Sequence, residues 1–217
     1  MYYCPTNTSL SQVWHEHGLD HCFLDTVSAG VLLLLLLSGG LAELVLYCRH
    51  GSSLPAALRA RSCLCRAHLA VLLLALLMPC AELAVLATVL HESLSGALLL
   101  WNCAQTLAWL LVLALVLWEC QYDLPSPPTR GHGIVVLLIC ALIFLQKNLS
   151  FISFNSPSWY FQLIKNTDHV KLAVFVAGYV SALAAFLLTL NAPGIPSPQA
   201  RFQFAHRTLV DQEEPTG

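Results

Sequence analysis

Two carboxylates stand inside long apolar runs of this chain, Glu43 and Glu82. An ionisable group in hydrocarbon is costly and marks a functional candidate by default. With a rise of about 1.5 Å per residue, Glu43 lies roughly 6 Å from the inner end of its run, close enough to snorkel out. Glu82 lies roughly 12 Å from the outer end of its own run. The two stand at different depths, so they cannot work as an acid–base pair. Asn102 reaches about the same depth as Glu82 on the next run, with Gln105 one turn further in. This spacing predicts a Glu82–Asn102 hydrogen bond. The alternative is a proton or cation relay through Glu82.

Histidine and cysteine offer a second kind of chemistry. His15, His17 and His21 cluster with Cys4 and Cys22 near the N-terminus, and imidazole with thiolate suits zinc or copper. The competing reading is solvated histidines on a loop whose two cysteines are either free or joined; once joined, they are no longer ligands. An oxidising compartment favours the disulfide, which in the loop-entropy view is worth roughly 3 kcal/mol. His68, His91 and His169 stand near run ends and do not make the facing pairs that a transmembrane haem needs. Cys48, Cys63 and Cys65 flank the membrane in an arginine-bearing loop, where S-palmitoylation is the expected chemistry. Cys80, Cys103, Cys120 and Cys140 fall in or beside apolar runs and are expected to pack. No phosphate-binding G-x-x-x-x-G-K-[ST] loop, H-E-x-x-H or G-x-S-x-G is present. No catalytic residue, metal ligand or cofactor of this chain is therefore expected, and the chain is not expected to be an enzyme.

The elements that carry these residues are five apolar runs, at about 26–47, 67–90, 94–118, 134–154 and 170–190. A helix needs roughly 20 mostly apolar residues to cross a bilayer. The expected class is all-α, a five-helix transmembrane bundle over 26–190 between an outer tail, 1–25, and an inner linker, 191–217. Hydrophobic residues make up 57% and charged residues 10%. That leaves no room for a sizeable aqueous domain, and no basic stripe is available for nucleic acid.

Basic residues set the expected orientation. Arg49, Arg59, Arg61, Arg66, Arg130, Arg201 and Arg207 fall on one side; Lys147, Lys165 and Lys171 fall on the other, with Lys147 and Lys171 at run boundaries. Positive residues favour the cytosol, so the N-terminus is expected outside or in a lumen and the C-terminus inside. No basic segment precedes the first run, and no cleavable signal is expected. Asn7-Thr8-Ser9 is a sequon on the outer tail. Asn148-Leu149-Ser150 also matches but lies within a run and should stay unmodified. Ser38-Gly39-Gly40 allows a neighbouring helix to come close, and Pro79 should kink the second run. Trp159, Tyr160 and Phe161 suit the headgroup level. Composition and topology stop at a five-span membrane protein.

A set of scattered positions goes further. Cys4 and Cys22 with a nearby sequon, Lys147-Asn148-Leu149, then Phe154-Asn155-Ser156-Pro157-Ser158-Trp159, and finally Ala192-Pro193-Gly194 resemble the N-terminal five-span accessory domain of ATP-binding cassette half-transporters of subfamily B. The resemblance is to the branch of member six and its heavy-metal-tolerance and porphyrin-transport relatives, through the Asn-Leu … Asn-Ser-Pro-x-Trp pattern. It covers nearly the whole chain and implies an accessory bundle that serves trafficking toward endolysosomal membranes and contacts with other membrane proteins. It also implies a Cys4–Cys22 disulfide and a glycan at Asn7, although the sequon here follows the first cysteine. ATP would belong to the transporter core, whose spans and nucleotide-binding domain do not appear before Gly217. The expected partners are lipid and the core of a half-transporter or a trafficking partner. The rival expectation is an autonomous small transporter or channel using Glu82 and Asn102.

Overall fold

The computed structural model describes residues 3–4, 13–15, 18–50, 52–53, 63–88, 95–123, 134–154 and 169–190. Asn7, His17, His91, Asn155, Ser156, Pro157, Trp159, Pro193, Gly194 and the 191–217 segment lie outside the described residues.

The chain enters through a two-residue antiparallel pairing, β1 (Trp14–His15) with β2 (Gly18–Leu19), and then starts α1 (His21–Leu35). Asp20 sets that start: its Oδ1 accepts from the backbone N–H groups of Cys22 at 2.8 Å and Phe23 at 3.2 Å, the geometry of an N-cap. The helix thus begins ahead of the run expected from residue 26. A π-helical turn, Leu36–Gly40, leads into α2 (Leu41–His50). Beyond it come β3 (Ser52–Ser53), α3 (Cys63–Thr88), α4 (Gly96–Gln121), β4 (Tyr122–Asp123), α5 (Ile134–Phe154) and α6 (His169–Leu190). Strand β3 pairs antiparallel with β4. The architecture is all-α; of the two short pairings, β1–β2 closes a turn and β3–β4 ties the segment after α2 to the end of α4.

Among the described residues, four stretches are long and apolar enough to cross a membrane: Cys22–Val45, Arg66–Thr88, Gly96–Trp118 and Leu172–Leu190, with a shorter one at Ile134–Ser150. Helices suit that role because each satisfies its backbone hydrogen bonds internally, where lipid offers none.

The helices close a ring. α1 packs on α4, α4 on α3, α3 on α6, α6 on α5, and α5 returns to α1. α4 sits deepest: 50% of its apolar stretch is buried, against 22–28% in the other three long ones. Trp101, Trp109, Val112, Leu115 and Val116 of α4 pack in a core with Leu32 of α1, Leu36 of the π turn, Leu72 of α3, Val136, Ile139 and Ile143 of α5 and Ala185 of α6. The glycines of the π turn bring the backbone of that turn against two neighbours. A Cβ on Gly40 would overlap Leu111 of α4, and one on Gly39 would sit 2.9 Å from Val135 of α5. Small residues are the usual means of close helix approach in membranes. Pro79 is buried within α3.

Candidate functional site at the tail end of the bundle

The tail is fixed to the bundle at three points. Cys4 is bonded to Cys22 on the first turn of α1, with the Cα atoms 5.6 Å apart. The Tyr3 hydroxyl lies 2.9 Å from Thr26 Oγ1 on the next turn. The Tyr3 carbonyl accepts from Ala97 N–H at 3.0 Å, at the first turn of α4, where N–H groups lack intrahelical partners. Ser95 Oγ caps the same turn by accepting from Leu98 N–H at 3.3 Å. Gly96 allows this approach, since a Cβ there would lie 3.2 Å from Tyr3 Cα. The disulfide therefore joins the tail to α1, and Tyr3 extends the connection to α4.

Beside this clasp lies a cluster of charge. Lys147 on α5 reaches Glu82 on α3, Nζ to Oε2 at 3.2 Å, with the two side chains 5% and 23% exposed. The ammonium stands 5.8 Å from the centre of the Phe175 ring, within cation–π range. Gly178 of α6 lies alongside, where a Cβ would be in ordinary contact with Nζ at 3.8 Å. One position back on α5, Gln146 Nε2 donates to Asp25 Oδ1 on α1 at 3.1 Å and to Ser150 Oγ at 3.2 Å. Asp25 also feels the charges of Lys147, Glu82 and Asp20. Asn148 Nδ2 donates to Phe144 O at 2.7 Å, and its Oδ1 accepts from the Tyr179 hydroxyl at 3.0 Å. Phe144 in turn packs on Tyr179 and stacks on Phe186 of α6. Three successive residues of α5, Gln146, Lys147 and Asn148, thus each engage a different helix: α1, α3 and α6.

The expected Glu82–Asn102 hydrogen bond does not form. Glu82 turns to Lys147, while Asn102 Nδ2 donates to Leu98 O of its own helix at 3.0 Å and its Oδ1 is buried without a partner. The physical reason is charge: an ammonium satisfies a membrane carboxylate better than a neutral amide. Gln105 is buried, with Oε1 likewise unpartnered, on the same helix as Trp101 and Trp109. Glu43 is half-buried in the first turn of α2 and takes no part in the cluster. Asp25 escaped the sequence reading because the apolar run begins after it. The signal for it was Asp20, a capping residue that places Asp25 one full turn inside a helix. Lys147 was visible only as a boundary residue.

Cys4 and Cys22 are bonded to each other, and among the described residues no three His, Cys, Asp or Glu side chains group as a metal site. His68 is buried at the opposite end, where its Nε2 lies 3.3 Å from Thr189 Oγ1; Cys140 Sγ lies 3.6 Å from the same oxygen. Cys80 and Cys103 are free and exposed on α3 and α4. The sequon at Asn148 has both of its polar side chains, Asn148 and Ser150, committed to bonds within the bundle.

Residues 2–216 match the family described as the mitochondrial ABC-transporter N-terminal five TM region. The chain belongs to this family. Relatives named ATP-binding cassette sub-family B member 6 match along most of it. That of Xenopus tropicalis is 33% identical over 196 residues, 89% of this chain and 23% of the relative. Those of Mus musculus and Homo sapiens are 27% and 29% identical, over 96% and 97% of this chain and 26% of each relative. The chain spans about a quarter of the length of the curated relatives it matches. It is an integral-membrane region of ABC-transporter type, and its setting is lipid.

Proposed function

We propose that the chain is a non-catalytic accessory domain of a heavy-metal or porphyrin ABC half-transporter, serving trafficking and contacts with other membrane proteins. In this reading the tail lies in the lumen and the 191–217 linker in the cytosol, as the basic residues dictate. The compartment is the secretory and endolysosomal route, Asn7 carries a glycan, and ATP is handled by the transporter core. The observation that carries the reading is the clasp: a disulfide and the Tyr3 contacts weld a short tail to α1 and α4. Among the described residues the polar groups of the site bond one helix to another. A domain built this way works through its surfaces. Glu82 and Asn102, the pair a small autonomous transporter would use, bond to different partners, which disfavours that reading.

The test is delivery. Cys4→Ser and Cys22→Ser variants, each expressed in cells, should remain in the endoplasmic reticulum while the unaltered chain moves on. Normal delivery of both variants overturns the trafficking role. Glycosidase treatment reads the orientation: a shift abolished by Asn7→Gln places the tail in the lumen.

A further inference from the structure

We propose that Asp25 and Gln146 form a proton-binding site that latches α1 to α5. The argument rests on charge and on hydrogen-bond type, independently of the trafficking reading. Two carboxylates, Asp25 and Glu82, share this end of the bundle with one ammonium, Lys147, and the ammonium is in contact with Glu82 at 3.2 Å. Asp25 is left with one hydrogen-bond donor among the described residues, Gln146 Nε2 at 3.1 Å. Asp20, the other carboxylate nearby, spends Oδ1 on the N–H groups of Cys22 and Phe23. Among the described side chains, the Asp25 charge is left without a cation of its own.

Gln146 shows how that charge is answered. Its side chain is 3% exposed, and its Oε1 is a buried acceptor without a partner. Buried acceptors are seldom left so, because each one forfeits its hydration for nothing. The carboxamide cannot simply be turned round, since its oxygen would then face the Asp25 carboxylate, acceptor against acceptor. A carboxylic acid and a carboxamide are complementary: each offers one donor and one acceptor on the same edge. The N–H···Oδ1 half of that pair is present. A proton taken from the solvent at the tail end forms an O–H bond at Asp25 Oδ2, which donates to Gln146 Oε1. The proton neutralises Asp25, fills the orphaned acceptor and leaves Lys147 wholly to Glu82. Ser150 holds the amide in orientation by accepting from the same Nε2 at 3.2 Å. Asp25 is only half-buried, so protons have a way in.

The test is infrared spectroscopy of the 217-residue chain in lipid nanodiscs, titrated from about pH 8 to about pH 4. The expected result is a carboxylic-acid C=O band above the amide envelope, shifted in D2O and lost in Asp25→Asn. In Gln146→Met both halves of the acid–amide pair are gone, and the Asp25 acid C=O band should move to higher wavenumber, as for an acid without hydrogen-bond partners. In Glu82→Gln the ammonium is released toward Asp25, and the band should titrate at lower pH. A band that survives Asp25→Asn, or the absence of any such band in the unaltered chain across the range, overturns the proposal. If Asp25→Asn does not fold, an acid C=O band at unchanged wavenumber in Gln146→Met overturns it equally.

Discussion

The two ends of this bundle join the same helices by different means. At the tail end, α5 meets α3 through an ion pair and α1 through an amide–carboxylate bond. At the opposite end, α5 and α3 meet α6 through one hydroxyl: Thr189 Oγ1 donates to Ala185 O at 2.8 Å, which leaves its lone pairs for Cys140 Sγ and His68 Nε2. A neutral node tolerates the loss of one member, because what remains is a weakly polar atom. A charged node does not, because removing one partner strands the other charge in a medium that cannot solvate it. The tail end is also the end that carries the disulfide clasp. Among the described residues, the disulfide and the Lys147–Glu82 ion pair thus both lie at the tail end.

That contrast can be broken most directly at Lys147. Lys147→Met should destabilise the bundle by about 3–5 kcal/mol, since Glu82 is left buried and unpaired. The double variant with Glu82→Met should recover most of the loss, as buried pairs replaced by apolar residues are often near neutral. Equilibrium unfolding in mixed micelles measures both, and additive losses would show that the pair is not coupled. Next in size, Cys4→Ser should cost about 3 kcal/mol through the unfolded chain, and reduction of the unaltered chain should give the same loss. Gly40→Ala should cost about 1–3 kcal/mol by forcing Leu111 aside. Gly30→Ala, which meets nothing within 4 Å, should instead gain about 0.5–1 kcal/mol from helix propensity. The smallest effect belongs to the neutral end: Cys140→Ala should cost only about 1 kcal/mol. A loss there as large as that of Lys147→Met would remove the distinction between the two ends.

Much of the fold was legible because its signals are local. Hydropathy located the apolar helices. Pro79 and Gly39-Gly40 marked a helix-internal proline and a close approach, and the spacing of Cys4 and Cys22 above the first run pointed to their bond. The site was less legible. Glu82 stood out as a buried carboxylate, but its partner was assigned to the neighbouring helix α4, at matching depth, rather than to α5. Depth along the membrane follows from counting residues at a fixed rise; the direction in which a side chain points around the helix does not. Asp25 falls in the 1–25 tail when the apolar run alone is read, although the helix begins at His21 under the Asp20 cap.

By itself, then, the sequence determined that this is an all-helical five-span membrane region of its transporter family, since length, apolar runs and motif residues are properties read along the chain. Only the tertiary structure decided that the helices close a ring in the order α1, α4, α3, α6, α5, and that Lys147 answers Glu82 across 65 positions and Gln146 answers Asp25 across 121. Those choices depend on which faces meet once small residues such as Gly39 and Gly40 let particular helices approach, and no local pattern contains that information.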